Sequence, residues 1–378
     1  MFPLISRKGN VPIVYQRPDS VSILDDEDAV SRLSRYFKIL RRETISKQLI
    51  AKMLKVNIDA KKSSLNELWE IHDNKVEELY EMIKEFSDEE LKEMWSKKGK
   101  SEYNLVDLKA EIAHRLLKSC NFCEWNCNVD RTRGRKGVCL LNSKAYVASI
   151  FIHIGEESEL VPSYTIFFSH CNFKCVFCQN WDISQVHSGR EIPPVLVADA
   201  IKSEWNNFRI RNVNWVGGEP TPNLHYILDV IRLVDVSVPM VWNSNLYDSV
   251  EAMKLLKGII DVWLPDFKYG NNNCALRYSK IRNYFDVVTR NLKMISDWGE
   301  EIIIRHLILP NHVECCTLPI LRWVKRNMNL EKLRFNLMDQ YRPEYKAHKY
   351  PEINRPINRR EWVKALKVAR ELGISLTL

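Results

Sequence analysis

After residue 160 the chain alternates six short, β-rich apolar runs with amphipathic helical segments, a rhythm that few folds accommodate. The runs are SYTIFFSH, VNWVGGEP, VPMVWNSN, DVWLPDFK, EIIIRHLILP and KLRFNLMD. Between and after them lie segments such as PVLVADAIKSEWNNF, NLHYILDVIRLV, DSVEAMKLLKG, CTLPILRWVKRNM and RREWVKALKVARELG. A helix between two strands returns the chain in the same direction, so the pattern predicts a parallel sheet covered by helices. Six such strands predict an α/β fold, a partial (β/α)6 TIM-like barrel, whose site forms at the C-terminal strand ends.

Upstream, the texture differs. Residues 1–118 read as an N-terminal arm and helical region: three prolines in residues 1–20 predict an extended arm, and residues 21–118 are helical in pattern. EDAVSRLSRYFKILRR, ISKQLIAKMLKV, LNELWEIHDNKVEELYEMIKEF and DEELKEMWSKK space apolar residues three and four apart, and Ser87 with Glu90 makes a capping box. Their mixed charges read as solvated faces. Residues 119–145 break the pattern as a Cys-rich metal-binding segment, and residues 146–378 form the barrel.

Lysines and arginines outnumber carboxylates 56 to 48, and the resulting +8 permits an acidic partner without demanding one. No stretch of about 18 apolar residues occurs and no secretory h-region opens the chain, so a cytoplasmic protein without membrane spans is expected. Ten cysteines in such a compartment point to metal rather than disulfides, and seven of them fall between residues 120 and 178.

Cys171, Cys175 and Cys178 follow the first predicted strand with the spacing C-x3-C-x2-C. Three thiolates can hold three irons of a [4Fe-4S] cluster and leave the fourth open to a ligand. From the residues alone, a zinc site and three buried thiols stay open beside that reading. The second strand ends in Gly217, Gly218, Glu219 and Pro220, where paired glycines let backbone approach a ligand or simply turn. The third ends in Asn243, Ser244 and Asn245, polar groups suited to ribose hydroxyls, an ion or an ordinary turn. The fourth brings Asp266 and Lys268. The fifth carries Arg305 and His306, which face opposite sides; Arg305 is the inward candidate and needs an anionic partner. The sixth ends in Asp339, Gln340, Tyr341 and Arg342.

The cysteine triad, with Phe177 between its last two members, resembles the C-x3-C-x-Φ-C hallmark of the radical S-adenosylmethionine (SAM) superfamily. The resemblance implies a [4Fe-4S] cluster on Cys171, Cys175 and Cys178, whose free iron chelates SAM. It also implies reductive cleavage to methionine and a 5'-deoxyadenosyl radical, with no catalytic side chain required beyond the cluster. Gly217, Gly218 and Glu219 resemble the motif that meets the amino end of SAM. Phe177, Asn243, Asn245, Asp266, Lys268 and Arg305 are the further cofactor-binding candidates, Arg305 for the SAM carboxylate. HCNFKCVFCQN, LPDFKYG, IIRHLILP and MDQYRPEYKAHKYPEINRPI resemble the pyruvate formate-lyase activating enzyme homologues, over about residues 119–375. That branch implies hydrogen abstraction from a protein or peptide, a glycyl-radical activase being one form, and a low-potential donor such as ferredoxin or flavodoxin.

Cys120, Cys123, Cys127 and Cys139 have the spacing C-x2-C-x3-C-x11-C with Gly134 and Gly137 between. Four thiolates close a coordination sphere, as an auxiliary [4Fe-4S] cluster or zinc, and a metal-free segment is the third reading. The basic run Arg131, Arg133, Arg135 and Lys136 is either solvated or supports the thiolates. Cys274, Cys315 and Cys316 read as packing thiols. Two other functions stay open: an RNA-modifying radical SAM enzyme, and a non-catalytic zinc-stabilised binding protein.

Overall fold

A computed structural model describes residues 16–377; the greater part of the expected arm, residues 1–15, lies outside the described residues. The arm's last residues enter a short helix, Asp19–Ser22, rather than continuing extended. The six anticipated runs are strands β2 (Ser163–Phe168), β3 (Asn212–Gly217), β4 (Met240–Ser244), β5 (Val262–Pro265), β6 (Glu301–Leu307) and β7 (Leu333–Met338). They pair in parallel and in chain order. A seventh strand, β1 (Val147–His153), was not anticipated and adds antiparallel to β2. The sheet is thus mostly parallel, with β1 and β7 as its two ends.

One face of the sheet is apolar and lies under the helices. Trp215, Trp242 and Trp263 stand side by side in register on β3, β4 and β5 and are fully buried. The opposite face carries a polar group: Arg305 on β6 donates to Asn243 Oδ1 on β4 at 3.2 Å, and Asn336 on β7 donates to Glu157 at 2.7 Å. Glu156, Glu157, Ser158 and Glu159, in the connection between β1 and β2, are buried there. Alternation along each strand separates the two chemistries.

The upstream helices close the N-terminal end of the sheet, opposite the end where a barrel site forms. Glu301, the first residue of β6, accepts from Arg35 N at 2.6 Å and Tyr36 N at 3.0 Å. Tyr36 Oη donates to the Glu159 carbonyl at 3.0 Å, and Arg334, near the start of β7, pairs with Asp28 at 2.6 Å. The anticipated capping box of the helix Asp88–Lys98 is present, and Ser64 with Glu67 makes another ahead of Leu65–Glu85. Lys109 is fully buried and donates to the Lys254 and Lys257 carbonyls at 3.2 and 2.9 Å.

Lys52 carries a cost in this docking. It is 1% exposed, its ammonium meets the Val234 carbonyl, and burial pulls its pKa down from 10.5 to about 7. A depressed amine pKa penalises the folded state increasingly as pH falls from 10.5 towards 7, and by a constant amount below. Lys52→Met is therefore expected to stabilise the chain by about 3 kcal/mol at neutral pH, with the gain shrinking towards about pH 10. Denaturant titrations at the two pH values measure it; an equal effect at both would refute the burial account.

Candidate active site at the strand ends

The loop leaving β2 carries Cys171, Cys175 and Cys178, and neighbouring elements fix each thiol. Phe173 N donates to Cys171 Sγ at 3.2 Å. Ser279, at the end of the helix Asn272–Ser279, donates its hydroxyl to Cys175 Sγ at 2.9 Å. Cys178 Sγ lies 3.2 Å from Ser184 Oγ. Val176 N and Lys174 N bond to the Tyr278 and Ser279 carbonyls at 2.8 and 3.1 Å, so the same helix holds the loop from below.

Burial raises all three thiol pKa values, Cys175 to about 11 against the partial relief of Lys268, and at Cys171 the negative charge of Glu219 adds to the rise. Left to themselves these groups stay protonated, and a thiolate here calls for positive charge of the kind bound iron supplies. The donor set fits an iron–sulfur group in this respect. A partnerless polar atom fits a further ligand: Asn243 Nδ2 at the end of β4 is buried without a hydrogen bond among the described residues.

Gly217 and Gly218 bring the end of β3 against the cysteine loop. Gly218 N donates to Phe168 O at 2.8 Å, and a β-carbon on Gly218 would stand 2.1 Å from the His170 carbonyl oxygen, one residue before Cys171. Gly217 has φ +126°, and a β-carbon there would meet Phe168 N at 2.1 Å. Gly218→Ala is expected to push the cysteine loop aside, costing about 1–3 kcal/mol of stability and lowering iron content after reconstitution. A variant with unchanged melting temperature and iron content would show that the loop yields freely.

Glu219 ties the strand ends together. It accepts from Thr221 Oγ1 at 2.7 Å, Ser244 Oγ at 2.6 Å and Asn245 N at 2.9 Å. Burial, then the nearby Asp248 carboxylate, raise its pKa to about 7. Asn245 in turn donates to Asn172 Oδ1 at 2.8 Å, beside Cys171. Phe177 packs edge-on against Tyr269 and Tyr341, ring centroids 6.4 and 5.8 Å away, and Lys268 pairs with Asp266 at 2.6 Å.

The anionic partners of Arg305 within the chain are acidic side chains: Glu157 receives two hydrogen bonds at 2.6 and 2.7 Å, and Glu156 a further one. His306 is packed on the other side, between the Phe267 carbonyl and Thr317 Oγ1. Glu156 and Glu157 were missed because an acidic run, GEESE, ordinarily reads as a solvated loop.

The upstream quartet lies against this site. Cys120, Cys123, Cys127 and Cys139 line one cavity with Arg131, Gly137 and Pro222, the last just beyond the Gly217–Pro220 turn. Arg131 is fully buried and donates to Cys120 Sγ at 3.6 Å, while Arg133, Arg135 and Lys136 are exposed. The basic run therefore divides between the two readings. A β-carbon on Gly137 would stand 3.2 Å from Cys127 Sγ. Trp125 Nε1 donates to the Asn172 carbonyl at 2.9 Å, so one residue of the triad loop touches both cysteine groups.

Of the three cysteines expected to pack, Cys274 and Cys315 converge with His312, and Cys316 is buried in the core. The H-x-x-C spacing of His312 and Cys315 was the available signal.

A family model described as the radical SAM superfamily matches residues 165–324, which run from β2 into the helix Leu318–Asn327. An uncharacterized protein of Methanocaldococcus jannaschii is 46% identical over 352 residues, covering 91% of this chain and 99% of that protein. A second uncharacterized protein of that organism is 25% identical over 281 residues, 68% of this chain and 77% of its own. Among solved structures, Streptococcus suis SuiB bound to S-adenosylmethionine aligns at 14% identity and a TM-score of 0.40, over 55% of this chain and 48% of that one. The chain thus spans about half the length of that structure. Among the described residues no helix is long and apolar enough to cross a membrane. On the match across the strands that carry the triad and the Gly217–Pro220 turn, residues 165–324 form a radical SAM superfamily domain.

Proposed function

We propose that this protein cleaves SAM reductively at a [4Fe-4S] cluster held by Cys171, Cys175 and Cys178 and directs the resulting radical at a protein or peptide. The observation that carries the reading is the meeting of the buried thiols of Cys171 and Cys175 and the half-buried thiol of Cys178 with the Gly217–Gly218 turn at the C-terminal ends of β2 and β3. When bound, cluster and SAM supply one-electron cleavage and a hydrogen-abstracting 5'-deoxyadenosyl group. The chain's own part is to orient and to exclude water. Ser279 and Ser184 hydrogen-bond two of the thiols, Glu219 fixes the β4 end through Ser244 and Asn245, and Phe177 with Tyr269 and Tyr341 walls the loop with aromatic rings.

A protein or peptide substrate is supported by the resemblance to activating-enzyme homologues and by exposed apolar side chains beside the two cysteine loops, Leu140, Trp181 and Val186. A glycyl-radical activase is the specific form proposed. The exposed Arg133, Arg135 and Lys136 favour RNA as the second reading.

The quartet is proposed to hold a second [4Fe-4S] cluster, with ferredoxin or flavodoxin as the external electron source. Its support is that the four thiols line one cavity, that Arg131 and Val138 N donate to its sulfurs, and that Trp125 of the quartet segment donates to the Asn172 carbonyl of the triad loop.

Anaerobically reconstituted protein given SAM and reductant is expected to hold about eight irons and to release 5'-deoxyadenosine. A fully reconstituted sample that releases none would defeat the proposal. Zinc at both cysteine groups without iron or sulfide would establish a binding protein instead. Deuterium transferred into 5'-deoxyadenosine from a labelled protein supports the first substrate class; transfer from labelled RNA, with salt-sensitive binding, supports the second.

A further inference from the structure

Outside the radical site, three side chains meet at the loops that follow β5 and β6. Cys274, His312 and Cys315 each bring a ligand atom within 4.8 Å of the others, the one such group of His, Cys, Asp or Glu side chains among the described residues. Tetrahedral zinc with Zn–S of about 2.3 Å sets two sulfurs about 3.8 Å apart, inside that envelope.

The local fold builds this approach. Gly270 packs so closely on the next segment that a β-carbon there would stand 2.5 Å from the Cys316 carbonyl oxygen. Asn271 Oδ1 caps the helix Asn272–Ser279 by accepting from Cys274 N at 2.8 Å, and its amide donates to the Cys315 carbonyl at 2.8 Å. One side chain therefore fixes the backbone on both sides of the group. Cys315 sits in the π-helical turn Val313–Thr317, where Thr317 N reaches back to the His312 carbonyl at 3.3 Å. Such widened turns recur at functional sites.

His312 supplies independent support. Its ring is buried, and Nδ1 lies 2.7 Å from the Pro310 carbonyl, which fixes the proton on that nitrogen. Nε2 is left with its lone pair, and the ring's other hydrogen-bond partner is Cys274. Histidines that bind metals are oriented in this way, one nitrogen tethered to a carbonyl and the other presented to the ion. Cys315 is exposed, which gives an ion a path in, and Cys316 Sγ lies 3.9 Å from Cys315 Sγ as a further thiol beside the group.

We infer that Cys274, His312 and Cys315 form a zinc site. Two thiolates and an imidazole suit zinc and exclude calcium or magnesium, which take oxygen ligands. The helix that carries Cys274 in its first turn ends at Ser279, whose hydroxyl meets Cys175 Sγ at 2.9 Å. Zinc here braces the element that presents that hydrogen bond, without touching the radical chemistry itself.

The test counts zinc and iron in full-length protein purified anaerobically, as wild type and as Cys274→Ser, His312→Gln and Cys120→Ser. About one zinc per chain is expected in the wild type, lost in the first two variants and kept in the third, with iron unchanged in the first two. Cobalt(II) added to zinc-stripped protein gives a second readout, a thiolate-to-cobalt absorption band that Cys315→Ser weakens; this residue is exposed, so its replacement leaves the core intact. The inference is overturned by a wild type without zinc, by zinc that departs with Cys120→Ser but not with Cys274→Ser, or by a Cys274–Cys315 disulfide found by mass spectrometry in the anaerobic protein.

Discussion

Cys175→Ala is expected to abolish 5'-deoxyadenosine formation and to lower bound iron from about eight to about four per chain. Cys175 is the middle thiol of the triad, is 8% exposed, and is held by the Ser279 hydroxyl. With two thiolates left, a cluster loses a protein ligand and the burial that shields it, while the quartet keeps its own four. The residual iron therefore reports on the quartet, and the zinc count on neither. A Cys175→Ala protein that still cleaved SAM would remove this residue from the mechanism. Ser279→Ala separates ligation from tuning. It deletes the hydroxyl that donates to Cys175 Sγ at 2.9 Å, so iron is expected to stay while the reduction potential falls, because a hydrogen bond to sulfur favours the more negative, reduced state.

The parallel core was legible because its strands carry unambiguous local signals. β2 to β7 are apolar runs with helices between them, and no competing period disturbs them. The edge strand β1 was not legible. VASIFIH is half exposed along its length, and what makes it a strand is pairing with β2, a tertiary event. The triad and the Gly217–Gly218 turn could be read from spacing, since both depend on residues close in sequence. Ser279 and the Asn172 bridge could not, because their side chains meet Cys175 and Asn245 across 104 and 73 residues. Arg305 shows the limit most plainly. Its burial and its need for an anion were evident, but the anion's origin lay 148 residues upstream in what looked like a surface loop.

That origin makes Arg305→Met the substitution with the largest expected cost in stability. The guanidinium is 15% exposed, and it neutralises Glu156 and Glu157, which are 4% and 1% exposed. Removing it leaves two buried carboxylates without their cation, an error worth about 3–5 kcal/mol. The pH dependence identifies the cause. In the wild type, burial alone would raise the Glu156 carboxyl, but Arg305 and His153 outweigh it and hold the pKa at about 2, against an ordinary 4.5. A depressed carboxyl contributes stability that is fully present above its unfolded pKa and is lost only as pH falls towards its folded value, so the wild type keeps this contribution at about pH 5. In the variant burial acts on the Glu156 carboxyl without the Arg305 counterweight and raises it, so it takes up a proton as the pH falls, which relieves the repulsion. The gap between the two proteins is therefore expected to narrow from about pH 7 to about pH 5. Adding Glu157→Gln to Arg305→Met should recover part of the loss at neutral pH by removing one of the two charges. Equal unfolding free energies for wild type and Arg305→Met would show that the carboxylates find another partner. A variant that kept its stability but lost SAM affinity would give Arg305 the expected cofactor role.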